Sequence, residues 1–192
     1  MTYAVFFDVL PKQGFSDAYF GMAGGLKPIV EKIPGFISVE RFENLDHAGW
    51  YLSYSKWADE QALGAWRCQQ DHHEAQVCGR NLVLEDYRLR VGSILTDIEK
   101  GSNKSLLAAF VGEFEKIQKV AELTKKTLGV AAGLFKGVIN PDRGIALLDV
   151  ELLNALEIKK IMTDQILLDV GLYEVQRDYG MFNRAQAPSV FA

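Results

Sequence analysis

The order of predicted strands and helices repeats along this chain, and the repetition limits the possible folds more than any other feature. In each half a strand is followed by a helix, two hairpin strands, a second helix and a last strand. This βαββαβ order is typical of a ferredoxin-like sheet with helices on one face. The sequence therefore predicts an α+β protein built from tandem ferredoxin-like repeats.

The first repeat is read from hydrophobic patterns and turn residues. Its predicted elements are a strand at 1–10, a helix at 15–32, hairpin strands at 36–42 and 50–56, a helix at 58–78 and a strand at 82–91. The helix at 15–32 contains Gly21, Gly24, Gly25 and Pro28. Because glycine and proline disfavour helix interiors, we expect this helix to be kinked or broken.

The second repeat follows a polar stretch of small residues at 97–104, a predicted linker. Its predicted elements are a strand at 105–111, a helix at 113–127, strands at 130–139 and 145–150, a helix at 152–165 and a strand at 166–175. Residues 106–127 could equally form one long helix. The predicted domains are 1–96 and 105–182, and 183–192 is a predicted tail.

Composition excludes several classes of partner. The 192 residues carry a net charge of -4 without a run of like charges, so nucleic acid and anionic membranes are not expected partners. No apolar stretch approaches the ~20 residues that span a bilayer, and the N-terminal run lacks a basic leader. We expect a cytoplasmic protein. Cys68 and Cys78 would lie roughly 15 Å apart on one helix and could not form a disulfide.

Much of the unusual chemistry lies in residues 57–80. This segment contains two of the three tryptophans, two of the three histidines and both cysteines. On a straight helix, Leu63, Trp66, Gln70, His73 and Val77 would share one face. That face changes from apolar to Gln and His along its length. The change fits either a helix end that leaves the core for water or the wall of a small-molecule cavity.

The first 95 residues resemble the antibiotic biosynthesis monooxygenase domain family. The similarity is carried by Pro34 to Phe42, by Trp57, Glu60, Ala62 and Leu63, by Trp66, His72, Gln76, Gly79 and Arg80, and by Asp86 to Val91. The resemblance implies cofactor-free oxygenases of polycyclic phenols, with a neighbouring branch of haem-degrading enzymes. It also implies sheet-against-sheet homodimers. Tandem repeats would then form a dimeric α+β barrel-like pseudo-dimer within one chain, because each apolar sheet face must be covered.

A cofactor-free oxygenase requires a base that deprotonates a phenol or enol in a dry pocket. A histidine suits this role, so His72 and His73 are the candidate catalytic residues. The candidate substrate-binding residues are Trp66, Phe7, Tyr51, Tyr54, Gln69, Gln76 and Arg80. We expect no metal and no cofactor. The expected partners are a small aromatic substrate and dioxygen, and the protein would be a monomeric pseudo-dimer or a homodimer.

Two other functions remain open. Haem binding or degradation is the first, since Trp66 fits that branch. However, the first strand has Phe6, Phe7 and Asp8 where the branch implies an Asn, and the histidine spacing is shorter. The second is a non-catalytic ligand-binding or assembly module. The second half has no Trp or His, which fits this module about as well as it fits an oxygenase. Trp57 and Trp66 would then be core anchors, and Arg80 would complement a helix end.

Overall fold

The computed structural model describes residues 1–96, 105–163 and 168–188. The predicted order of elements is confirmed. The first repeat consists of β1 (Tyr3–Pro11), α1 (Ser16–Val30), β2 (Phe36–Asn44), β3 (Tyr51–Trp57), α2 (Glu60–Arg67), α3 (Gln70–Cys78) and β4 (Leu84–Ile94). The second consists of β5 (Leu106–Glu113), α4 (Phe114–Leu128), β6 (Gly133–Gly137), β7 (Arg143–Val150), α5 (Ala155–Thr163) and β8 (Asp169–Gly180). The predicted linker at 97–104 lies outside the described residues.

Antiparallel pairing joins the strands. The hydrogen-bonded order is β1-β3-β2-β6-β7-β5-β8-β4, which closes into a barrel. Strand β1 pairs with β3 from Tyr3↔Trp57 to Val9↔Tyr51, and β5 pairs with β7 along its whole length. This topology confirms the predicted α+β fold of two ferredoxin-like repeats.

The chain divides into two compact units, and their limits cut across β2, β4 and β8. The first unit contains residues 1–40, 49–91 and the C-terminal residues from 177, and the second contains 41–48 and 92–176. In the first unit, alternate residues of β1 pack against the helices, because side chains alternate between the faces of a strand. Val9 packs with Tyr19 of α1, and Val5 lies against a cluster that includes Leu63 of α2.

The second unit has its own apolar core. It is formed by β5, β7 and β8 with α4 and α5, and fourteen buried residues belong to it. Phe110, Ile117, Ala146 and Ile158 are at most 1% exposed. Residues 106–127 therefore form a strand followed by a helix. The alternative of one long helix is wrong because Leu106 to Gly112 are all buried between neighbouring strands.

The single helix predicted for residues 58–78 is wrong. Helix α2 ends at Arg67, and α3 begins at Gln70. Between them Gln69 has extended dihedral angles, with φ of -70° and ψ of 130°. Its side chain caps α3 by accepting a hydrogen bond from the backbone N–H of His72 at 2.6 Å. Helix α3 then passes into a π-helical turn at Gly79–Val83, so β4 starts two residues later than predicted.

The first helix, expected to be kinked or broken, is not broken. Helix α1 is continuous from Ser16 to Val30, and Pro28 lies in its last turn. A proline there removes only one helical hydrogen bond near a helix end, where the chain is about to leave the helix anyway. Glycine is needed instead just before β2. Gly35 has a φ of +86°, and a Cβ there would lie 2.7 Å from the Cβ of Ala62.

Among the helices that the structure describes, none is both long and apolar enough to cross a membrane. Cytoplasmic localisation stays a prediction.

Candidate functional site

The break between α2 and α3 brings Trp66 and His72 together. Their rings are stacked, with centroids 4.1 Å apart and planes inclined by 15°. In a straight helix, residues six positions apart lie about 9 Å apart along the axis and on different faces. Trp66 itself stacks on Trp57, with ring centroids 6.4 Å apart. The core residue Trp57 thus supports the tryptophan on which His72 lies.

Both ring nitrogens of His72 have hydrogen-bond neighbours. Its Nδ1 lies 2.9 Å from the carbonyl oxygen of Trp66. Its Nε2 lies 3.4 Å from the side-chain nitrogen of Gln76. Gln69 accepts a hydrogen bond from the backbone N–H of His72 and donates one to the Asp71 carboxylate. The structure therefore brings together four of the predicted site residues: Trp66, Gln69, His72 and Gln76.

The surroundings of His72 disfavour its charged form. The pKa of His72 is lowered from 6.5 to about 4, mainly by burial; the hydrogen bond to the Trp66 carbonyl raises it, and the nearby charge of His73 lowers it. At pH 7 the imidazole is consequently neutral. A neutral imidazole has one N–H donor and one nitrogen that can accept a proton.

The low pKa of His72 predicts a pH-dependent stability. A histidine whose pKa is lower in the folded state stabilises the fold above its unfolded pKa, and the effect is lost as the pH falls toward the folded pKa. From pH 7 to pH 4.5, His72 should remove about 2 kcal/mol from the free energy of unfolding, given a pKa of about 4 against 6.5. Urea unfolding of the protein and of His72→Gln at both pH values measures this difference.

The matched control for this prediction is His73→Gln. This variant makes the same chemical change on the neighbouring residue and leaves the stack of His72 on Trp66 in place, so it should keep nearly all of the pH dependence. Equal losses of stability with pH in the unmodified protein and in His72→Gln would contradict the prediction.

His73 and Arg80 are placed differently from His72. His73 is half-buried, as is His72, but residues i and i+1 of a helix do not share a face. Arg80 lies half-buried in the π-helical turn that follows α3. Neither residue takes part in the ring stack with Trp66.

Phe7 and Tyr51 belong to an aromatic cluster on the helix-covered face of the sheet. We define this aromatic cluster as Phe7, Tyr19, Phe20, Tyr51 and Tyr87. Phe7 contacts Tyr87 edge-on at 5.6 Å, and Tyr51 contacts Phe20 edge-on at 4.9 Å and stacks on Tyr19 at 6.5 Å. Sequence reasoning did not select Tyr19 or Tyr87 as site residues. For Tyr87, the alternation with Leu89 and Val91 along its strand was the available signal.

Helix α3 contributes residues both to the Trp66–His72 stack and to the core that contains the aromatic cluster. His72 in its first turn stacks on Trp66, and Cys78 at its last position packs against the core that contains the aromatic cluster. Leu89 of β4 packs against that core and also against the core that contains Trp66. The Trp66–His72 stack and the aromatic cluster therefore flank one stretch of the same sheet face in the first unit.

Tyr54 lies on the other face of this sheet. It is 3% exposed, pairs across the strands with Phe6 and contacts the Phe6 ring at 5.2 Å. Phe7 pairs instead with Ser53. Because successive strand residues point to opposite faces, Tyr54 is separated from Phe7 and Tyr51. The structure does not bring Tyr54 to the Trp66–His72 stack.

Across residues 1–96, 105–163 and 168–188, no group of three or more acidic, histidine or cysteine side chains could hold a metal ion.

Comparisons with known proteins find a family model and individual relatives that this chain resembles. A family model described as antibiotic biosynthesis monooxygenase matches residues 3–77. A protein of the fungus Pyricularia oryzae named Jasmonate monooxygenase ABM is 32% identical over 213 aligned positions, which cover 98% of each chain. The protein YqjZ of Bacillus subtilis is 29% identical over 92 residues, covering 48% of this chain and 78% of YqjZ.

A solved structure shares the fold at low sequence identity. The crystal structure of an aldoxime dehydratase matches with a TM-score of 0.50 and 8% identity, over 91% of this chain and 81% of that one. The similarity shows a common fold and nothing about activity. The fungal relative matches both repeats, whereas the sequence resemblance was visible only in the first.

Proposed function

This chain belongs to the antibiotic biosynthesis monooxygenase family, and on that premise we propose that it is a cofactor-independent monooxygenase of small aromatic, phenol- or quinol-like substrates. The base is His72. The substrate lies between the Trp66–His72 stack and the aromatic cluster, where flat rings find aromatic partners. Gln76 donates a hydrogen bond to the substrate oxygen.

One observation carries this proposal: His72 is held by hydrogen bonds and stacked on Trp66 while its pKa keeps it neutral. A neutral histidine can accept a proton at pH 7 without first losing one. Its Nε2 lies at the limit of hydrogen-bond distance from Gln76, so an approaching substrate replaces a weak contact. When the imidazole becomes charged, the Trp66 ring stabilises it through a cation–π interaction.

The low pKa of His72 is compatible with its role as a base. Moving a proton from a phenol of pKa about 10 to an imidazole of pKa about 4 costs roughly 8 kcal/mol for isolated groups. The new phenolate and imidazolium attract each other by about 4 kcal/mol at 4 Å in a protein interior. The remaining cost of about 4 kcal/mol is well below the barrier of a reaction with an ordinary turnover rate.

The proposed reaction needs no external reductant. For a substrate that carries a methylene between activated rings, one molecule of substrate and one of dioxygen give one ketone and one water. His72 takes the proton of the phenol or enol, and the resulting carbanion-like carbon forms a bond to dioxygen. The methylene carbon loses both hydrogens and supplies all four electrons that dioxygen accepts. One oxygen atom becomes the carbonyl oxygen, and the other leaves as water after His72 returns its proton.

The fungal relative widens the set of substrates to be tested. It is named a jasmonate monooxygenase, and it aligns with this chain over nearly its whole length. Jasmonate is a small, mainly apolar carboxylic acid, so it belongs beside the phenolic compounds in a substrate panel.

Haem has less support as a cofactor of this site. Both ring nitrogens of His72 already have hydrogen-bond neighbours, and its ring lies flat on Trp66. On β1 the helix-covered face carries Phe7, whereas Asp8 points to the opposite face and forms an ion pair with Arg90 at 3.1 Å. These residues do not fit a haem group. The absence of a Soret band after mixing with haem would agree with the proposal.

Oxygen consumption tests the proposed function. With an anthrone-like or quinol-like compound, we expect the purified protein to consume one O2 per molecule of substrate without NAD(P)H, flavin or haem. The matched control is the O-methylated form of the same compound, which has no acidic proton and should not react. Oxygen uptake that requires an added reductant, or equal uptake with the methylated compound, would contradict the proposal.

A further inference from the structure

We propose that the break between α2 and α3 fixes the tautomer of His72, with Gln69 as the positioning residue, so that only Nε2 faces the substrate. The identity of Nε2 as the reacting atom rests on the proposed function. The tautomer itself does not, and it can be measured without any substrate.

The carbonyl of Trp66 determines which nitrogen is protonated. In an uninterrupted helix this carbonyl would accept from the backbone N–H of Gln70. Here it accepts from the backbone N–H of Gln69 at 3.2 Å, and His72 Nδ1 lies 2.9 Å from it. Because a carbonyl oxygen can only accept, Nδ1 must be the protonated nitrogen and Nε2 must have the free lone pair.

Gln76 is compatible with the same tautomer. Its side-chain amide nitrogen donates, and it lies 3.4 Å from His72 Nε2. In the opposite tautomer, Gln76 can turn its amide and accept from Nε2, so this contact does not select the tautomer. Nδ1 and the Trp66 oxygen, however, would be two acceptors in contact. That contact would be lost, and leaving a half-buried group without its hydrogen bond is costly.

Gln69 sets the position from which the ring reaches the Trp66 carbonyl. The extended backbone of Gln69 separates α3 from α2. Its side chain caps the first turn of α3 by accepting a hydrogen bond from the backbone N–H of His72. Without this cap the first turn of α3 can fray, and the ring moves away from the carbonyl. Gln69 does not touch the ring nitrogens, so it acts on the chemistry only through His72.

Nitrogen NMR tests the proposal in the full chain. The protein has three histidines, so His47→Gln with His73→Gln leaves His72 as the single 15N-labelled imidazole. At pH 7 we expect the long-range 1H–15N correlation spectrum to show that Nδ1 is protonated in at least about nine-tenths of the molecules. A spectrum dominated by protonated Nε2 would overturn the proposal, whatever the activity of the protein.

Variants of Gln69 test the positioning role. Gln69→Ala should shift the tautomer ratio by about fivefold toward protonated Nε2 and raise the pKa of His72 toward 6.5. Gln69→Asn keeps a capping amide and should restore most of the original ratio. The matched control is Gln70→Ala, which removes an exposed side chain bonded only to Glu74 in the described structure. An unchanged tautomer ratio in Gln69→Ala would overturn the role of Gln69.

Kinetics separate this inference from the proposed function. If Nε2 is the base, Gln69→Ala should lower kcat with little change in KM, because the substrate contacts remain. The expected tautomer without oxygen uptake on any substrate would refute the proposed function and leave the positioning of His72 intact. The wrong tautomer together with full oxygen uptake would refute the positioning and leave the oxygenase proposal intact.

Discussion

Replacing His72 with asparagine is expected to lower kcat for oxygenation by about 10²- to 10⁴-fold, the usual contribution of a positioned general base. Asparagine can donate a hydrogen bond to the Trp66 carbonyl, as His72 Nδ1 does, but it cannot accept a proton at neutral pH. The substrate should bind nearly as before, so KM should change little. Steady-state oxygen uptake with a quinol-like substrate measures both constants.

His73→Asn is the matched control, because it makes the same chemical change on the neighbouring residue. We expect it to keep most of the turnover, since His73 does not stack on Trp66. Near-UV circular dichroism should show native packing in both variants. A large loss in His73→Asn with little loss in His72→Asn would assign the base to His73, and full turnover in both would refute a histidine base.

Replacing Trp57 with alanine is expected to lower the free energy of unfolding by about 3 to 5 kcal/mol, as usual for a large buried aromatic side chain. Trp57 is 1% exposed, and its ring contacts Phe36 edge-on at 5.2 Å. Its indole nitrogen donates a hydrogen bond to the Ser55 hydroxyl at 2.9 Å. The variant leaves a cavity beneath Trp66 and removes this donor. Urea unfolding followed by far-UV circular dichroism measures the loss.

Trp50→Ala is the control for this stability effect. Trp50 is only half-buried and precedes β3, so its loss should cost less than half as much. Because Trp57 also supports the Trp66–His72 stack, the surviving fraction of folded Trp57→Ala should show a higher His72 pKa. Equal destabilisation by the two substitutions would contradict the role of Trp57 as the anchor of this core.

The choice between the two histidines shows where sequence reasoning stopped. On the single predicted helix, Trp66 shares a face with His73, seven residues later. In the structure Trp66 stacks on His72, because Gln69 leaves the helical conformation and starts a new helix. Glutamine is not among the favoured capping residues, so local propensity gave no sign of this break.

For the aromatic residues, in contrast, part of the answer was already present in the sequence. Tyr51 and Tyr54 were both predicted to line the site, although residues three apart on a strand point to opposite faces. This separation could have been read from the sequence. Which of the two faces the helices cover required the strand register, in which Phe7 lies opposite Ser53 and packs on the helix side.

The amino-acid sequence by itself determined the order of strands and helices in both repeats, because hydrophobic periodicity and turn residues act locally. It also determined the family, through residues in the first 95 positions. Only the tertiary structure decided that α2 and α3 are separate and that His72 reaches the Trp66 carbonyl. The physical reason is that the packing of Trp66 on Trp57 is a contact between elements, which no local pattern encodes, and that glutamine is not a residue whose capping role local propensity indicates.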